Sequence, residues 1–232
     1  MPIETSLEGP YIVTGGASGL GAAVADAIAE AGGTPIILDR QALEDGHESV
    51  QVDLADARAA ERAVEEVARR HGGLQGVVTA AGTDACGTLD GVDGESWDRV
   101  ILVNLIGTAA VVRGALPHLE QAQGRVVTIA STLGLRALSD ATAYCASKFG
   151  VVGFTRALAV EQAGKVGVTM LVPGGMQTHF FDGRPEQYKP GPDAQLADPA
   201  DMARAIVFAL AQPAGFEIRE LTAMVSTEPS WP

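Results

Sequence analysis

The chain has 232 residues, 47% hydrophobic and 19% charged, a composition that supports a sizeable core and excludes disordered and fibrous classes. Lys+Arg number 16 against 29 Asp+Glu, a formal charge of −13, so nucleic-acid phosphates and anionic membrane surfaces are repelled, and the expected partners are small molecules or other protein chains. Two cysteines, Cys86 and Cys145, are too few for a disulfide framework, and His47, His71, His118 and His179 lack metal-binding spacing; no metal and a reducing, cytoplasmic setting are expected.

Met1 to Gly9 carries Glu4 and Glu8 and no basic, apolar leader, and no later run reaches the roughly 18 apolar residues of a membrane span, so neither export nor insertion is expected. From there, short β-branched runs alternate with Ala-rich helical stretches. The pattern predicts strands at Tyr11–Thr14, Pro35–Leu38, Val50–Val52, Gly76–Thr79, Arg125–Ile129, Val166–Val172 and Glu217–Val225. Helices are predicted over Leu20–Ala31, Asp56–Arg70, Glu95–Leu119, Ala141–Gln162 and Pro199–Ala211. Arg40–Ser49 is too short for a full crossover helix, so one turn or an abbreviated helix is expected there. Strands as continuously apolar as Val126–Ile129 belong in a parallel sheet covered on both faces, hence an α/β, doubly wound sheet of about seven strands. Residues 177–197, with Gly183, Pro185, Pro190, Gly191 and Pro192, read as a lid, and 226–232 as a tail.

The first strand runs into Thr14-Gly15-Gly16-Ala17-Ser18-Gly19-Leu20-Gly21 and then a helix. Glycines at such a turn let backbone N–H groups approach a phosphate, to which the helix N-terminus adds partial positive charge. Asp39 stands 18 residues past Gly21 at the end of the second strand, where a dinucleotide fold needs an acceptor for ribose hydroxyls. A carboxylate there favours NAD over the 2′-phosphate of NADP; Arg40 dissents, since a guanidinium clamps such a phosphate. Asp53, with Leu54, either meets the adenine amino group or caps the next helix, a role that suits Asp56 better. Ala80-Ala81-Gly82 is small enough for a cofactor to pass over the strand edge.

Tyr144 and Lys148 lie four apart on one helix face, where a cation can stabilise a phenolate and make a neutral-pH acid/base. Ser131 falls at the C-terminal end of the fifth strand, the edge at which open α/β sheets bind ligands. No Gly-x-Ser-x-Gly elbow surrounds it, so it suits a donor that holds a substrate oxygen better than a hydrolase nucleophile. Cys145 points about 100° away from Tyr144 and reads as packing.

Taken together, Thr14-Gly-x-x-x-Gly19-x-Gly21, Ala80-Ala81-Gly82, Asn104, Ser131, Tyr144-x-x-x-Lys148 and Pro173-Gly174 resemble the short-chain dehydrogenase/reductase family over about Pro10 to Val225. Ser131 stands thirteen residues before Tyr144 with Gly134 between them. The resemblance implies a single Rossmann-type domain over 1–232 and an oxidoreductase that interconverts a secondary alcohol and its ketone. It implies Tyr144 as general acid/base, Ser131 as the residue that positions the substrate oxygen, Lys148 as ribose ligand and phenol activator, and Asn104 as keeper of a relay water. It further implies that Pro173, Gly174, Met176 and Thr178 meet the cofactor. Thr79 stands where the family usually has Asn, and the family's Val-Asp-Gly-Gly ending is absent.

For the substrate, Ser131, Leu133, Tyr144, Gly175 and Phe180 are the chosen contacts, with Leu135, Met176, Phe181 and Tyr188 near and Arg136 and Arg184 as single polar candidates, in a pocket expected to be more apolar than ionic. Glu95–Leu119 and Ala141–Gln162 are apolar around much of their circumference, so a homo-oligomer, dimer or tetramer, is expected, with Trp231 docking on an interface or fraying. The alternatives are a noncatalytic dinucleotide-sensing protein on the same fold and an NADP-dependent carbonyl reductase. A nucleotide-sugar epimerase wants a larger C-terminal domain than follows Thr178.

Overall fold

In a computed structural model, which describes residues 5–44 and 46–231, the apolar runs pair into one parallel sheet. Its strands are β1 (Pro10–Thr14), β2 (Thr34–Asp39), β3 (Glu48–Gln51), β4 (Gly76–Thr79), β5 (Arg125–Ile129), β6 (Gly167–Pro173) and β7 (Glu220–Ala223), in the order β3-β2-β1-β4-β5-β6-β7. The order reverses between β1 and β4, and the crevice at such a reversal is where a doubly wound sheet receives its ligand.

Among the described residues six α-helices cover it: α1 (Gly19–Glu30), α2 (Ala57–His71), α3 (Gly94–Ile101), α4 (Thr108–Ala122), α5 (Thr142–Glu161) and α6 (Pro199–Leu210). Neighbouring residues on each strand face opposite sides. Ile12, Val77 and Val126 pack with Val64 of α2 and Val111 of α4, while Val13, Val78 and Val127 pack with Val24 of α1 and Ile206 of α6. Burial on both faces is why these strands show no polar alternation.

The long predicted helix at Glu95–Leu119 is real but interrupted. Residues Leu102–Gly107 form a π-helical turn between α3 and α4, and Asn104 sits inside it with its carbonyl accepting from Thr108 Oγ1 at 2.8 Å. By length and composition the run Gly94–Ala122 contains an 18-residue window, of mean hydropathy 1.8, apolar enough to cross a membrane, but half of that window is buried inside the fold.

Two expectations need correction. No helical turn forms between β2 and β3 among the described residues; Asp39 Oδ1 accepts the Gln41 amide at 2.9 Å and His47 bonds Asp26 of α1 at 2.9 Å, which ties down an irregular crossover. β7 is also shorter than its apolar pattern. Arg125 Nη2 takes the carbonyls of Gln212 (2.5 Å), Pro213 (2.7 Å) and Phe216 (3.1 Å), and the Glu217 side chain, not its backbone, accepts the Val168 amide at 2.9 Å. The segment leading into β7 is thereby held out of the ladder.

Residues 177–197 form the expected irregular excursion, with 3-10 turns at His179–Phe181 and Glu186–Tyr188. A bridge between Met176 and Ala197 closes its base over the C-terminal edge of the sheet.

Candidate active site

One cavity of about 930 Å³ runs along that edge from Asp39 to the lid. At its first end the β1–α1 turn is built so tightly that side chains are excluded. Gly15, at φ +70°, would place a Cβ 2.7 Å from the Ala81 backbone, and a Cβ on Gly21 would strike the Gly15 carbonyl. Gly19, at φ +55°, abuts Thr178. Ser18 precedes the helix without capping it, so the first-turn amides of Gly19, Leu20 and Gly21 stay open to the cavity, as an anion requires.

Asp39 ends β2 at the cavity wall, where Oδ2 also accepts the Ala17 amide at 3.1 Å and so braces the glycine turn. Arg40 is exposed beside it and lines the same wall. Asp53 and Leu54 line the cavity too, and Asp56, not Asp53, caps α2 by accepting from Arg58 and Ala59. Asp53 is instead paired with Arg99 at 3.0 Å, a cation on α3 that sequence spacing did not suggest. A bond from the Ala55 amide, helped by Arg99, holds the Asp53 carboxyl below its usual range.

Across β4 and β5 the small run Ala80, Ala81 and Gly82 forms the cavity floor, with the Ala81 amide donating to Thr14 Oγ1 at 3.1 Å. Thr79 Oγ1, where the resemblance led one to look for Asn, is buried with no partner among the described residues. Asn104 does not line the cavity; it clamps Thr83 beyond β4, accepting its amide at 2.8 Å and donating to its carbonyl at 2.9 Å. Its Nδ2 also donates to Ser147 Oγ at 3.0 Å, so the π-turn is tied to the first turns of α5.

Ser131, Tyr144 and Lys148 meet at the middle of the cavity. The turn after β5 packs directly on α5, because Gly134 lies where a Cβ would be 2.8 Å from the Lys148 carbonyl. Ser131 thereby lies beside the Tyr144 phenol, where its hydroxyl favours the phenolate. Lys148 is buried, donating from Nζ to the Ile129 carbonyl at 2.8 Å, with Nζ 5.6 Å from the centre of the Tyr144 ring. Burial pushes the phenol up to about 12, with the Ser131 hydroxyl opposing the rise and Asp84 adding to it. Burial alone brings Lys148 down to about 8. The expectation that this lysine lowers the phenol's pKa is therefore not met by the protein on its own: the ammonium is turned to a carbonyl, and desolvation dominates both groups.

At the far end Pro173, Gly174, Gly175, Met176 and Thr178 line the wall, as do Leu133 and Phe180. Leu135 and Tyr188 do not: Leu135 turns into a small apolar cluster with Val151, Val152 and Met170, and Tyr188 lies in the second lid turn. Nor does Arg136 line it. Arg184 of the lid does, its guanidinium 4.7 Å over both Phe180 and Phe181 and paired with Asp84 at 2.8 Å. Phe180 in turn lies 5.6 Å from the Tyr144 ring. Cys86 donates to Asp84 at 3.2 Å, and burial pushes its thiol up to about 11, so it is an inert neighbour. Glu228 and Ser230 of the tail also reach this end. The Asp84–Arg184 pair and Glu228 thus set charged groups into this end of an otherwise largely apolar wall.

The family model for short chain dehydrogenase matches residues 11–189. The chain belongs to the short-chain dehydrogenase family. It is 31% identical over 224 residues to an oxidoreductase of Staphylococcus aureus (strain MW2), covering 91% of this chain and 94% of that protein. It is 32% identical over 240 residues to the cis-4-hydroxycyclohexanecarboxylate dehydrogenase of Sinomonas cyclohexanicum, covering 95% and 96%. Among solved structures, a short chain dehydrogenase from Burkholderia cenocepacia in complex with NADP shares 28% identity over 91% of this chain and 94% of that one, with a TM-score of 0.81. An alcohol dehydrogenase from Thermococcus sibiricus with 5-hydroxy-NADP, at 23% identity, shares the fold with a TM-score of 0.85 over 96% and 99% of the two chains.

In this short-chain dehydrogenase the buried lysine costs stability. Its folded pKa, about 8, lies below the 10.5 of an ordinary lysine, so the unfolded chain binds more protons between those values. Stability therefore rises with pH across that window, and below it a cost on the order of 3 kcal/mol is fully present. Lys148→Met is expected to raise the urea midpoint at pH 7, with its advantage over the wild type shrinking as pH climbs from 8 to 10.5. A variant less stable than the wild type at pH 7 contradicts this.

Proposed function

We propose that this oxidoreductase interconverts a modest-sized secondary alcohol and its ketone, with NAD preferred to NADP. What carries the reading is the convergence of Ser131, Tyr144 and Lys148 on one cavity whose other end is the open amide turn at Gly19–Gly21. The residues present fit a nicotinamide dinucleotide: the turn at Gly15, Gly19 and Gly21 is packed too tightly for side chains and presents its first-turn amides to the cavity as a pyrophosphate requires, and Asp39 lines the wall where a ribose acceptor is needed. Bound there, the cofactor supplies the hydride acceptor or donor.

The chain's own side chains handle the oxygen and its proton. Tyr144 Oη gives its proton to the carbonyl oxygen in reduction and takes it from the alcohol in oxidation. With the phenol held up at about 12, the protein by itself is poised as the acid, which suits reduction near neutral pH. Ser131 Oγ donates to the same substrate oxygen and keeps it beside the phenol. Lys148, buried at Gly82, offers its remaining donors to cofactor hydroxyls. Asn104 acts as a positioning residue that holds Thr83 and Ser147, with both Nδ2 donors engaged by them.

Asp39 supports NAD because a 2′-phosphate would sit against its carboxylate, although exposed Arg40 offers such a phosphate a partner and keeps an NADP-dependent carbonyl reductase as the second reading. We also infer a homo-oligomer in the cytoplasm. Leu102, Ile106, Phe149 and Val160 are exposed on the π-turn and α5, a face that a second copy would cover, and both cysteines are free thiols.

With NADH and a panel of ketones, then NAD and the matching alcohols, absorbance of the reduced nicotinamide is expected to reveal turnover that Tyr144→Phe lowers by about 10³-fold or more with cofactor affinity intact. Undiminished turnover in that variant removes the phenol from the chemistry. Asp39→Asn, which keeps an acceptor for the Ala17 amide, is expected to shift the NAD-to-NADP ratio of kcat/KM towards NADP by about tenfold, and an unmoved ratio rules out the ribose assignment.

A further inference from the structure

The tail does not trail away from β7. The Glu228 amide donates to the Val225 carbonyl at 3.1 Å, turning the chain back over the cavity mouth, and Thr227 Oγ1 donates to Gln195 Oε1 near the base of the lid at 2.8 Å. Glu228 Oε2 then accepts the Gly175 amide at 2.8 Å, while Oε1 accepts the Ser230 amide at 3.1 Å and its hydroxyl at 2.7 Å. Ser230 Oγ also shares a hydrogen bond of 2.8 Å with Thr132 Oγ1, beside Ser131. The carboxylate thus bridges the loop after β6 to the loop after β5. Gly174 is suited to this: a Cβ there would collide with Glu228 Oε2.

Three properties make this carboxylate more than a staple. It lines the same cavity as Ser131 and Tyr144. Its three donors are two amides and a hydroxyl, none of them charged, so its own charge is left uncompensated by them. Burial pushes the Glu228 carboxyl up, but the bonds from Ser230 and Gly175 outweigh it and keep the group anionic at neutral pH. The one arginine that the lid brings to this end, Arg184, is already paired with Asp84, and both partners are largely buried. A carboxylate has about four lone-pair sites, so with three donors engaged Glu228 retains capacity for one more, such as a substrate hydroxyl.

We propose that Glu228 is a specificity-determining residue of the substrate site, an anionic wall that selects uncharged, hydroxyl-bearing alcohols and their ketones over carboxylates and phosphate esters. This rests on the alcohol–ketone reading of the same cavity. Two anions sharing a partly buried cleft repel strongly enough to change affinity by about tenfold to a hundredfold.

The test uses two probes of nearly equal shape that differ by one charge, cis-4-hydroxycyclohexanecarboxylate and its carboxamide, with NAD and the intact protein. The wild type is expected to favour the carboxamide in kcat/KM by about tenfold or more. Glu228→Gln lowers that preference by about tenfold, while Glu228→Asp, which keeps the charge, retains it. An equal preference in wild type and Glu228→Gln overturns the proposal. So does a wild type that favours the carboxylate, the result expected if Arg184 leaves Asp84 for the substrate. Should neither probe turn over, the same ratio is read from calorimetric Kd values on the NAD-loaded protein. Failure of turnover alone then counts against the alcohol–ketone reading, whereas a binding ratio indifferent to Glu228, or no binding of either probe, counts against the wall.

Discussion

A single buried contact organises the centre of this molecule: the Lys148 ammonium held against the Ile129 carbonyl at the end of β5, with the Tyr144 phenol one helical turn away. Burying a cation is unfavourable unless its donors are used, and here one donor goes to the strand end while the others face the cavity at Gly82. Much of the surrounding architecture keeps that arrangement in place. Gly134 lets the Ser131 turn lie against the α5 backbone, Asn104 ties Thr83 to Ser147, and Trp97 of α3 donates to Thr142 at the start of α5. The π-turn fits the same scheme, since it puts Asn104 inward between β4's extension and α5.

Desolvation works on the two groups in opposite senses, raising the phenol and lowering the ammonium. Both shifts favour uncharged forms, so the protein alone stores a proton on Tyr144 rather than releasing one. A positive charge arriving in the cavity would reverse that balance for the phenol, which makes the acid/base a property of the loaded site. The rest of the cavity divides by charge. One end offers helix amides flanked by Asp39, Arg40 and the Asp53–Arg99 pair; the other holds the Asp84–Arg184 pair under the lid and Glu228 from the tail.

Local patterns carried the sheet, the helices and the central residues into view because their physics is local. A glycine turn announces excluded side chains, a phenol and an amine four apart share a helix face, and a fully apolar run implies a strand covered on both sides. What escaped depends on contacts between distant positions. Arg184 meets Asp84 across 100 residues, Glu228 meets Gly175 across 53, and Ser230 meets Thr132 across 98. No spacing rule links such pairs. Leu135 and Tyr188 were placed at the site by proximity in sequence, but side-chain direction sent Leu135 into a separate apolar cluster and left Tyr188 off the wall. The β7 boundary was missed because an arginine on β5 captures carbonyls just ahead of the predicted strand, and the Glu217 side chain takes the Val168 amide, two long-range contacts that no local pattern announces.

If Tyr144 is the acid/base, as proposed, filling the dinucleotide site should draw its raised pKa back down. Tyrosine labelled with ¹³C at Cζ gives three resonances, from Tyr11, Tyr144 and Tyr188, and Tyr144→Phe assigns the relevant one. In the free protein that resonance should titrate at about 12. With oxidised dinucleotide bound it should move down by about two units or more, the size of shift a nearby positive charge produces. A titration midpoint that stays where it was on binding would contradict the account.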